Sequence, residues 1–179
     1  MSRRIAAAVF AAVTAAGLAA CGSGGQATSA PSSSVAADPA GAVPTGFAIP
    51  IAGWVLTFAP TIRDAAATLK AAEPASKPPE AGKKFVMVTI TAKNSGSTKA
   101  SPATSLSFSF AGSDGAQYGL GQTGPCGAIP NDLLHFTDVP AGETVKGTVC
   151  EVVPTGAING GSWLAAAATG GMKLTFGLG

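Results

Sequence analysis

The sequence is poor in the side chains that carry most enzyme chemistry. Charged residues make up 11% of its 179 residues and aromatic residues 6%, and it contains one His and one Tyr. General acid–base catalysis depends on positioned titratable side chains, most often His. No Ser lies in a Gly-x-Ser-x-Gly motif, and one His leaves few parts for a catalytic triad. The composition therefore predicts a non-enzymatic protein with no catalytic residues.

The sequence also lacks an excess of charge of one sign. Its formal net charge is +2, and Arg3 and Arg4 account for this surplus because they precede an apolar run. Without them, nine Lys and Arg face nine Asp and Glu. Beyond the apolar run, the basic cluster is limited to Lys83 and Lys84. Binding to nucleic acid requires cations that replace phosphate counterions, so we expect no nucleic-acid partner.

The hydrophobic run near the N-terminus is too short for a permanent membrane span. Residues 5–20 are uncharged, whereas a transmembrane helix needs roughly 20 apolar residues. Two Arg precede this run and a polar, Gly-rich stretch follows it, which is typical of an export signal. Residues 1–20 are therefore predicted to be a signal peptide that is removed.

The end of this run resembles the lipobox of bacterial lipoproteins. Leu18 stands three residues before Cys21, with Ala19 and Ala20 between them. The resemblance implies that the Cys21 sulfur carries a diacylglyceryl group and that the signal peptidase cleaves before it. Two acyl chains give stable membrane attachment. We therefore expect a lipid anchor at Cys21, membrane lipid as a partner, and a location on the extracytoplasmic face of the cell membrane.

The stretch that follows Cys21 is poor in large apolar side chains. It reads "GSGGQATSAPSSSVAADPAGAVPTG", and such a composition buries too little apolar surface to offset its own ordering entropy. Residues 21–46 are therefore predicted to be the lipidated Cys and a flexible linker, and residues 47–179 a folded domain.

Apolar and polar residues alternate with a period of two in several runs of this domain, as in half-buried strands. The runs are "WVLTF" from Trp54, "SLSFSF" from Ser105 and "MKLTFGL" from Met172. The run "KKFVMVTITAKN" from Lys83 is apolar on both faces at its beginning, which predicts a central strand that is covered there. Residues 133–137 and 143–153 bring the prediction to at least six strands.

Turn residues separate these strands and two Ala-rich runs interrupt them. Asn and Gly in "NSGS" from Asn94, "SDG" from Ser113 and "PAGE" from Pro140 are typical of tight turns with positive φ. Alanine favours helix in 62–72 and 163–168. Short strands with such turns predict an all-β, immunoglobulin-like antiparallel β-sandwich.

Two of these stretches resemble a known domain family. "AGKKFVMVTITAKNSGSTK" and "VPAGETVKGTVCEVVP" are similar to an immunoglobulin-like domain of unknown function that is common in bacterial lipoproteins. That domain is related in fold to the immunoprotective extracellular antigen of mycobacteria. The resemblance covers residues 54–179, implies a β-sandwich and implies no catalytic residue. The Ala- and Gly-rich composition favours an actinobacterial source.

The remaining cysteines, Cys126 and Cys150, are predicted to form a disulfide. An even number of cysteines outside the cytoplasm favours this pairing, and their spacing is not Cys-x-x-Cys. The strand phase that turns Val149 inward turns Cys150 outward, so the bond would hold its loop on the outside of the sheet. A β-bulge near Gly147 would reverse this direction, so both orientations stay open here.

Two further residues, His135 and Trp163, are candidates for contact with a ligand or partner. His135 lies on the predicted strand 133–137 near Asp132 and Asp138, where a surface position is the simpler interpretation. Trp163 follows a Gly-rich stretch, either as a core residue or as an exposed ring that contacts a ligand. Because the acidic residues lack calcium-loop spacing and one His disfavours zinc, no metal or cofactor is predicted.

These observations predict a membrane-anchored extracytoplasmic lipoprotein that acts as a non-enzymatic interaction module. Its partner would be an extracytoplasmic protein or another envelope component. The alternative is a carrier that binds a small molecule, a lipid or an envelope glycan between the sheets or in the loops around Cys126 and Trp163. A cavity of a few hundred Å³ between the sheets would favour the carrier, and a filled interior would favour a surface contact.

Overall fold

A computed structural model describes residues 38–119 and 126–179. Within these ranges it contains eight strands, three short α-helices and one 3-10 helix. The predicted signal peptide and Cys21 lie outside the described residues. The strands are β1 Ala48–Ile51, β2 Trp54–Phe58, β3 Lys83–Asn94, β4 Leu106–Ala111, β5 Gln117–Gly119, β6 Thr144–Pro154, β7 Ser162–Ala167 and β8 Lys173–Phe176. The helices are α1 Ala66–Ala72, α2 Pro102–Ser105, α3 Thr155–Ile158 and the 3-10 helix Leu133–His135.

The strands form two antiparallel sheets, which confirms the predicted all-β sandwich. The first sheet has the order β1-β2-β3-β6 and the second the order β5-β4-β7-β8. Strands β3 and β6 pair without a break from Lys83 opposite Pro154 to Lys93 opposite Thr144. β3 is therefore central in the first sheet, as predicted, and β6 lies at its edge. In the described part of the chain, no helix is both long and apolar enough to cross a membrane.

Large aromatic side chains fill the space between the sheets. Trp54, Phe58, Phe110, Trp163 and Phe176 are each less than 2% exposed. The rings of Phe58 and Phe176 stack with their centroids 3.9 Å apart, and those of Phe110 and Trp163 meet edge to face at 5.4 Å. Such pairs contribute beyond the area that they bury. The sandwich interior is therefore a packed core.

A second apolar cluster covers the outer face of the first sheet. Val86 and Val88 of β3 belong to the main core, whereas Phe85 and Met87 belong to this second cluster. Successive side chains of a strand point to opposite faces, so the two clusters lie on opposite sides of β3. This confirms that β3 is covered on both faces at its beginning. The second cluster comprises Ala65, Leu69, Phe85, Met87, Cys126, Cys150 and Val152.

Two predicted elements are wrong in type. Residues 133–137 were expected to be a strand but begin with a 3-10 helix, because Asp132 Oδ1 accepts a hydrogen bond from the Leu134 amide at 2.9 Å and caps a turn. Residues 163–168 are predicted to be helical, but residues 163–167 lie in β7, which pairs with β4 and β8, and residue 168 begins the turn after it. Pairing on both sides outweighs the helix propensity of alanine, which is a weak preference.

Helix α1 and the turn at Asn94 refine two other predictions. The run 62–72 is helical only from Ala66, because Ile62 pairs with Met87 beside β3. Asn94 needs no positive φ and instead is buried: its Nδ2 donates to the carbonyls of Thr98 and Val139, both at 2.8 Å. In the other two turns, glycines take positive φ as predicted, +80° at residue 115 and +81° at residue 142.

The packed region begins ahead of the predicted boundary at residue 47. The Val43 amide donates to Thr175 O at 2.8 Å, and the Gly177 amide donates to Val43 O at 2.9 Å. The Leu178 amide donates to Asp38 Oδ1 at 2.6 Å. Residues 38–46, predicted as linker, therefore lie along β8, because these backbone hydrogen bonds compensate for the few apolar side chains of the segment.

Candidate functional site

Cys126 and Cys150 form a disulfide, as predicted. Cys150 is opposite Met87 in the unbroken β3–β6 register, so no bulge interrupts the pairing at Gly147. Both cysteines belong to the second apolar cluster and are about as buried as the core, at 5% and 4% exposure. Cys150 therefore points to the outer face of the sheet, and the bond holds the chain at Cys126 against that face.

A groove lies beside this disulfide, and we call it the disulfide groove. Its volume is about 420 Å³. Phe85 and Val152, which are opposite each other on β3 and β6, line it together with Cys126. The end of α1 and the segment after it provide the other wall. The full lining is Glu73, Ala75, Ser76, Lys77, Pro78, Pro79, Glu80, Phe85, Cys126, Gly127 and Val152.

The polar groups near the disulfide groove include one buried hydroxyl. Ser76 Oγ is inaccessible to solvent and has no hydrogen-bond partner among the described residues. On the rim, Lys83 Nζ donates to Glu80 Oε2 at 2.8 Å, and this hydrogen bond lowers the pKa of Glu80. Such an exposed ion pair contributes little stability. An unpaired buried hydroxyl is unfavourable, and because Ser76 Oγ is closed to solvent, a ligand would reach it only if the groove wall moved.

His135 lies on the surface, away from the disulfide groove. Its side chain is 86% exposed, and its Nε2 atom is 3.8 Å from Asp132 Oδ2. The two residues border an open hollow of about 250 Å³ together with Ile129, Asn131 and Phe136. The described residues that line this hollow include no hydroxyl or thiol, and the exposed His135 side chain is available for contact with a partner.

Trp163 is a core residue, so the interpretation as an exposed, ligand-contacting ring is wrong. Its side chain is 0% exposed. Its Nε1 atom donates to Thr61 Oγ1 at 3.1 Å, and its ring packs against Phe110. The neighbouring glycines explain this position, because a Cβ on Gly161 would lie 2.6 Å from the Phe110 ring. The Gly-rich stretch therefore allows close packing around the aromatic pair.

Sequence reasoning missed Glu151, which is the most unusual ionisable group in the described residues. It is 2% exposed, and its Oε1 atom has no hydrogen-bond partner there. Burial raises its pKa from 4.5 to about 7. The signal was present in "VCEVVP", where Glu151 takes the inward phase between Val149 and Val153.

Residues 38–119 and 126–179 contain no group of three or more His, Cys, Asp or Glu side chains placed to hold a metal ion. The ion pair of Lys84 Nζ with Asp64 Oδ2, at 3.1 Å, accounts for another of the acidic groups and lowers the pKa of Asp64. The arrangement of the described side chains thus offers surface hollows for binding, among them the disulfide groove.

Comparisons with known proteins identify no family. No family model matches the chain, and no curated protein matches it. A conserved hypothetical protein from Bacillus anthracis is 14% identical, with a TM-score of 0.44 over 75% of this chain and 94% of that chain. An uncharacterized beta-sandwich protein from Clostridium difficile 630 is 15% identical, with a TM-score of 0.44 over 75% and 91%. We transfer no function from either, and the resemblance to the immunoglobulin-like lipoprotein domain stays a prediction.

Proposed function

We propose that this chain is a membrane-anchored extracytoplasmic lipoprotein whose β-sandwich acts as a non-enzymatic interaction module. The observation that carries the proposal is the buried disulfide, because such bonds persist in oxidising, extracytoplasmic compartments. The lipobox-like residues Leu18 to Cys21 support export and attachment from the sequence side. The partner is an extracytoplasmic protein or another envelope component.

The filled interior supports a role for the outer surface. Five large aromatic side chains occupy the space between the sheets, which disfavours a carrier that encloses its ligand there. The disulfide fixes a covered region on the outer face of the first sheet. A surface that is already formed before binding lowers the conformational entropy that binding must offset, which suits an interaction module.

Substitution of Cys21 tests the anchor. We expect Cys21→Ala to move the protein from the membrane fraction to the soluble extracytoplasmic fraction, because two acyl chains provide the attachment. The variant should keep its disulfide and its unfolding midpoint, since Cys21 precedes the packed region. Ser23→Ala is the matched control and should stay in the membrane fraction. Membrane partition of Cys21→Ala equal to that of the control would contradict the proposal.

The disulfide groove supports a second candidate, the binding of a small amphipathic molecule. Its volume of about 420 Å³ lies within the usual range of ligand sites, about 300–1,000 Å³. Phe85 and Val152 offer an apolar contact, and Glu73 and Lys77 of the lining offer polar groups. This retains the carrier hypothesis in the form that places the ligand beside Cys126.

A fluorescent probe tests this second candidate. We expect 1-N-phenylnaphthylamine, an uncharged amphipathic dye, to bind the Cys21→Ala chain with increased fluorescence. Ala75→Trp, a change in the groove wall, should weaken binding by at least about tenfold, or about 1.4 kcal/mol. Ala67→Trp, at an exposed position of α1 outside the groove lining, is the control. Equal binding by the two Trp variants would exclude the groove as the site.

A further inference from the structure

Glu151 lies on the core-facing side of β6, where the other side chains are apolar. It is opposite Val86 of β3, and Val149 and Val153 precede and follow it on the same face. The residue is 2% exposed and its Oε1 atom has no hydrogen-bond partner in the described chain. An ionised carboxylate is strongly disfavoured in such surroundings, so the closed structure favours the protonated acid.

Ionisable groups on the elements that pack against β6 are paired or placed elsewhere. Of the three β3 lysines, Lys83 pairs with Glu80 and Lys84 with Asp64. The third, Lys93, is opposite Thr144, at the other end of the strand pair from Glu151. Tyr118 of β5 donates to Asp114 at 2.5 Å, and His135 of the 3-10 helix lies by Asp132. β4 and α3 carry no ionisable side chain, and neither do residues 120–125. Within residues 38–119 and 126–179, therefore, no cation pairs with the carboxyl, and burial is the cause of its raised pKa.

The strand that carries Glu151 has a free edge beyond Thr148: the Thr148 amide donates to Asn131 O at 2.8 Å, and among the described residues no backbone hydrogen bond follows on that side for residues 150–154. β6 is at the edge of the first sheet, with β3 on one side. Cys150 and Val152 flank Glu151 on the opposite face, where one forms the disulfide and the other lines the disulfide groove. Displacement of residues 150–154 would bring the carboxyl to water. The same displacement would change the solvent access of the disulfide and the shape of the disulfide groove.

We propose that Glu151 makes the second half of β6 a pH-sensitive switch that controls access to the Cys126–Cys150 disulfide and to the disulfide groove. The closed state holds the Glu151 proton, and the open state releases it to water. Opening is therefore coupled to the loss of one proton. The inference concerns the folded domain and does not depend on the membrane anchor.

The direction of the pH effect follows from the two states. In the open state the carboxyl titrates at its ordinary pKa of 4.5, and in the closed state at about 7. Below about pH 4.5 the carboxyl is protonated in both states, and above about pH 7 it is ionised in both. The ratio of open to closed molecules therefore does not change with pH in either range. Between these values, rising pH favours opening. We expect the open fraction to rise at least about tenfold between pH 5 and pH 7.5.

Hydrogen exchange tests the switch in the full chain carrying Cys21→Ala. Amide exchange rates are measured at pH 5 and pH 7.5 and divided by the intrinsic amide rates. We expect this ratio to rise with pH at residues 149–153 and to rise much less in β4 and β7. Glu151→Gln should abolish the rise, because its amide does not titrate. Glu143→Gln, an exposed acid just before the same strand, should keep it. An equal rise in Glu151→Gln, or an equal rise in all strands, would overturn the proposal.

Two further measurements test access to the disulfide and provide an alternative if Glu151→Gln does not fold. Reduction by tris(2-carboxyethyl)phosphine should accelerate from pH 5 to pH 7.5 more in the parent chain than in Glu151→Gln. Equal acceleration would contradict control of the disulfide by Glu151. If Glu151→Gln does not fold, the Glu151 side-chain carboxyl can be titrated by NMR in the parent chain. A midpoint near 4.5 would then overturn the proposal, and one near 7 would support it.

Discussion

Gly147 shows how the absence of a side chain positions a neighbouring element. A Cβ at this position would lie 2.6 Å from Leu133 Cα and 2.8 Å from Leu133 Cβ. Leu133 is fully buried and belongs to the main core. The glycine thus allows the 3-10 helix to close one end of the sandwich against β6.

Gly147→Ala should therefore destabilise the domain. The new methyl group meets backbone as well as side chain at Leu133, so relief requires movement of the 3-10 helix. We expect a loss of about 1–3 kcal/mol in the free energy of unfolding, measured by urea denaturation. Gly156→Ala is the matched control, because nothing lies within 4 Å of its new Cβ, and it should unfold at or above the parent midpoint. A Gly147→Ala midpoint equal to that of the parent would contradict this packing.

For single residues, the sequence predicted covalent pairing better than it predicted burial and side-chain contacts. The pairing of Cys126 and Cys150 followed from their number and the predicted export, because few alternatives exist for two thiols in that compartment. In contrast, the burial of Trp163 and Glu151 could not be predicted from the sequence. A lone Trp or Glu has no local pattern that shows which residues of distant strands will enclose it, and Glu151 faces a core built from both sheets.

The segment 38–46 is an element that composition alone placed in the linker. Few of its side chains are large and apolar, yet two backbone hydrogen bonds join Val43 to Thr175 and Gly177. A third bond runs from the Leu178 amide to the Asp38 carboxylate. Hydrogen bonds along a strand edge depend little on side-chain type. Hydrophobicity therefore underestimated the length of the packed domain.

A truncation tests this extension. A chain of residues 47–179 should be less stable than one of residues 35–179, because it lacks these three hydrogen bonds and exposes the edge of β8. At about 1 kcal/mol for each bond, we expect a loss of about 2–4 kcal/mol, measured by urea denaturation. A chain of residues 38–179 is the control and should match residues 35–179. Equal midpoints for all three chains would show that the segment adds no stability.

Element types were predicted well where the side-chain pattern was strict. In β2, apolar residues alternate and the buried positions match them at Trp54, Leu56 and Phe58. In β4 the alternating apolar residues are likewise buried, together with Ser109. In β7 the run "WLAAAA" is Ala-rich, so its propensity favours helix while β4 and β8 impose a strand. Residues 133–137 failed for the opposite reason, because a side-chain cap from Asp132 turned an apolar run into a 3-10 helix.

For the whole molecule, the disulfide and the two apolar clusters stabilise different parts of the fold. The main core joins the sheets, and the second cluster joins α1 and Cys126 to the outer face. The bond between cysteines 24 residues apart removes conformational entropy from the unfolded chain, a contribution of about 3 kcal/mol on the loop-closure model. The proposed anchor, Cys21, precedes the described residues in the sequence. We expect anchor and fold to be separable, which is why the Cys21→Ala chain serves for the tests of groove and switch.

The sequence by itself determined the antiparallel sandwich and the cysteine pairing, and it predicts export and anchoring. Periodicity, turn residues and cysteine number are local or countable, so they can be read without knowing which strands meet. Only the tertiary structure decided that Cys150 points outward into a second cluster, that Trp163 is enclosed and that Glu151 is buried without a partner. These properties depend on contacts between residues far apart in the chain. Burial and charge compensation arise only when the two sheets, α1 and the disulfide come together.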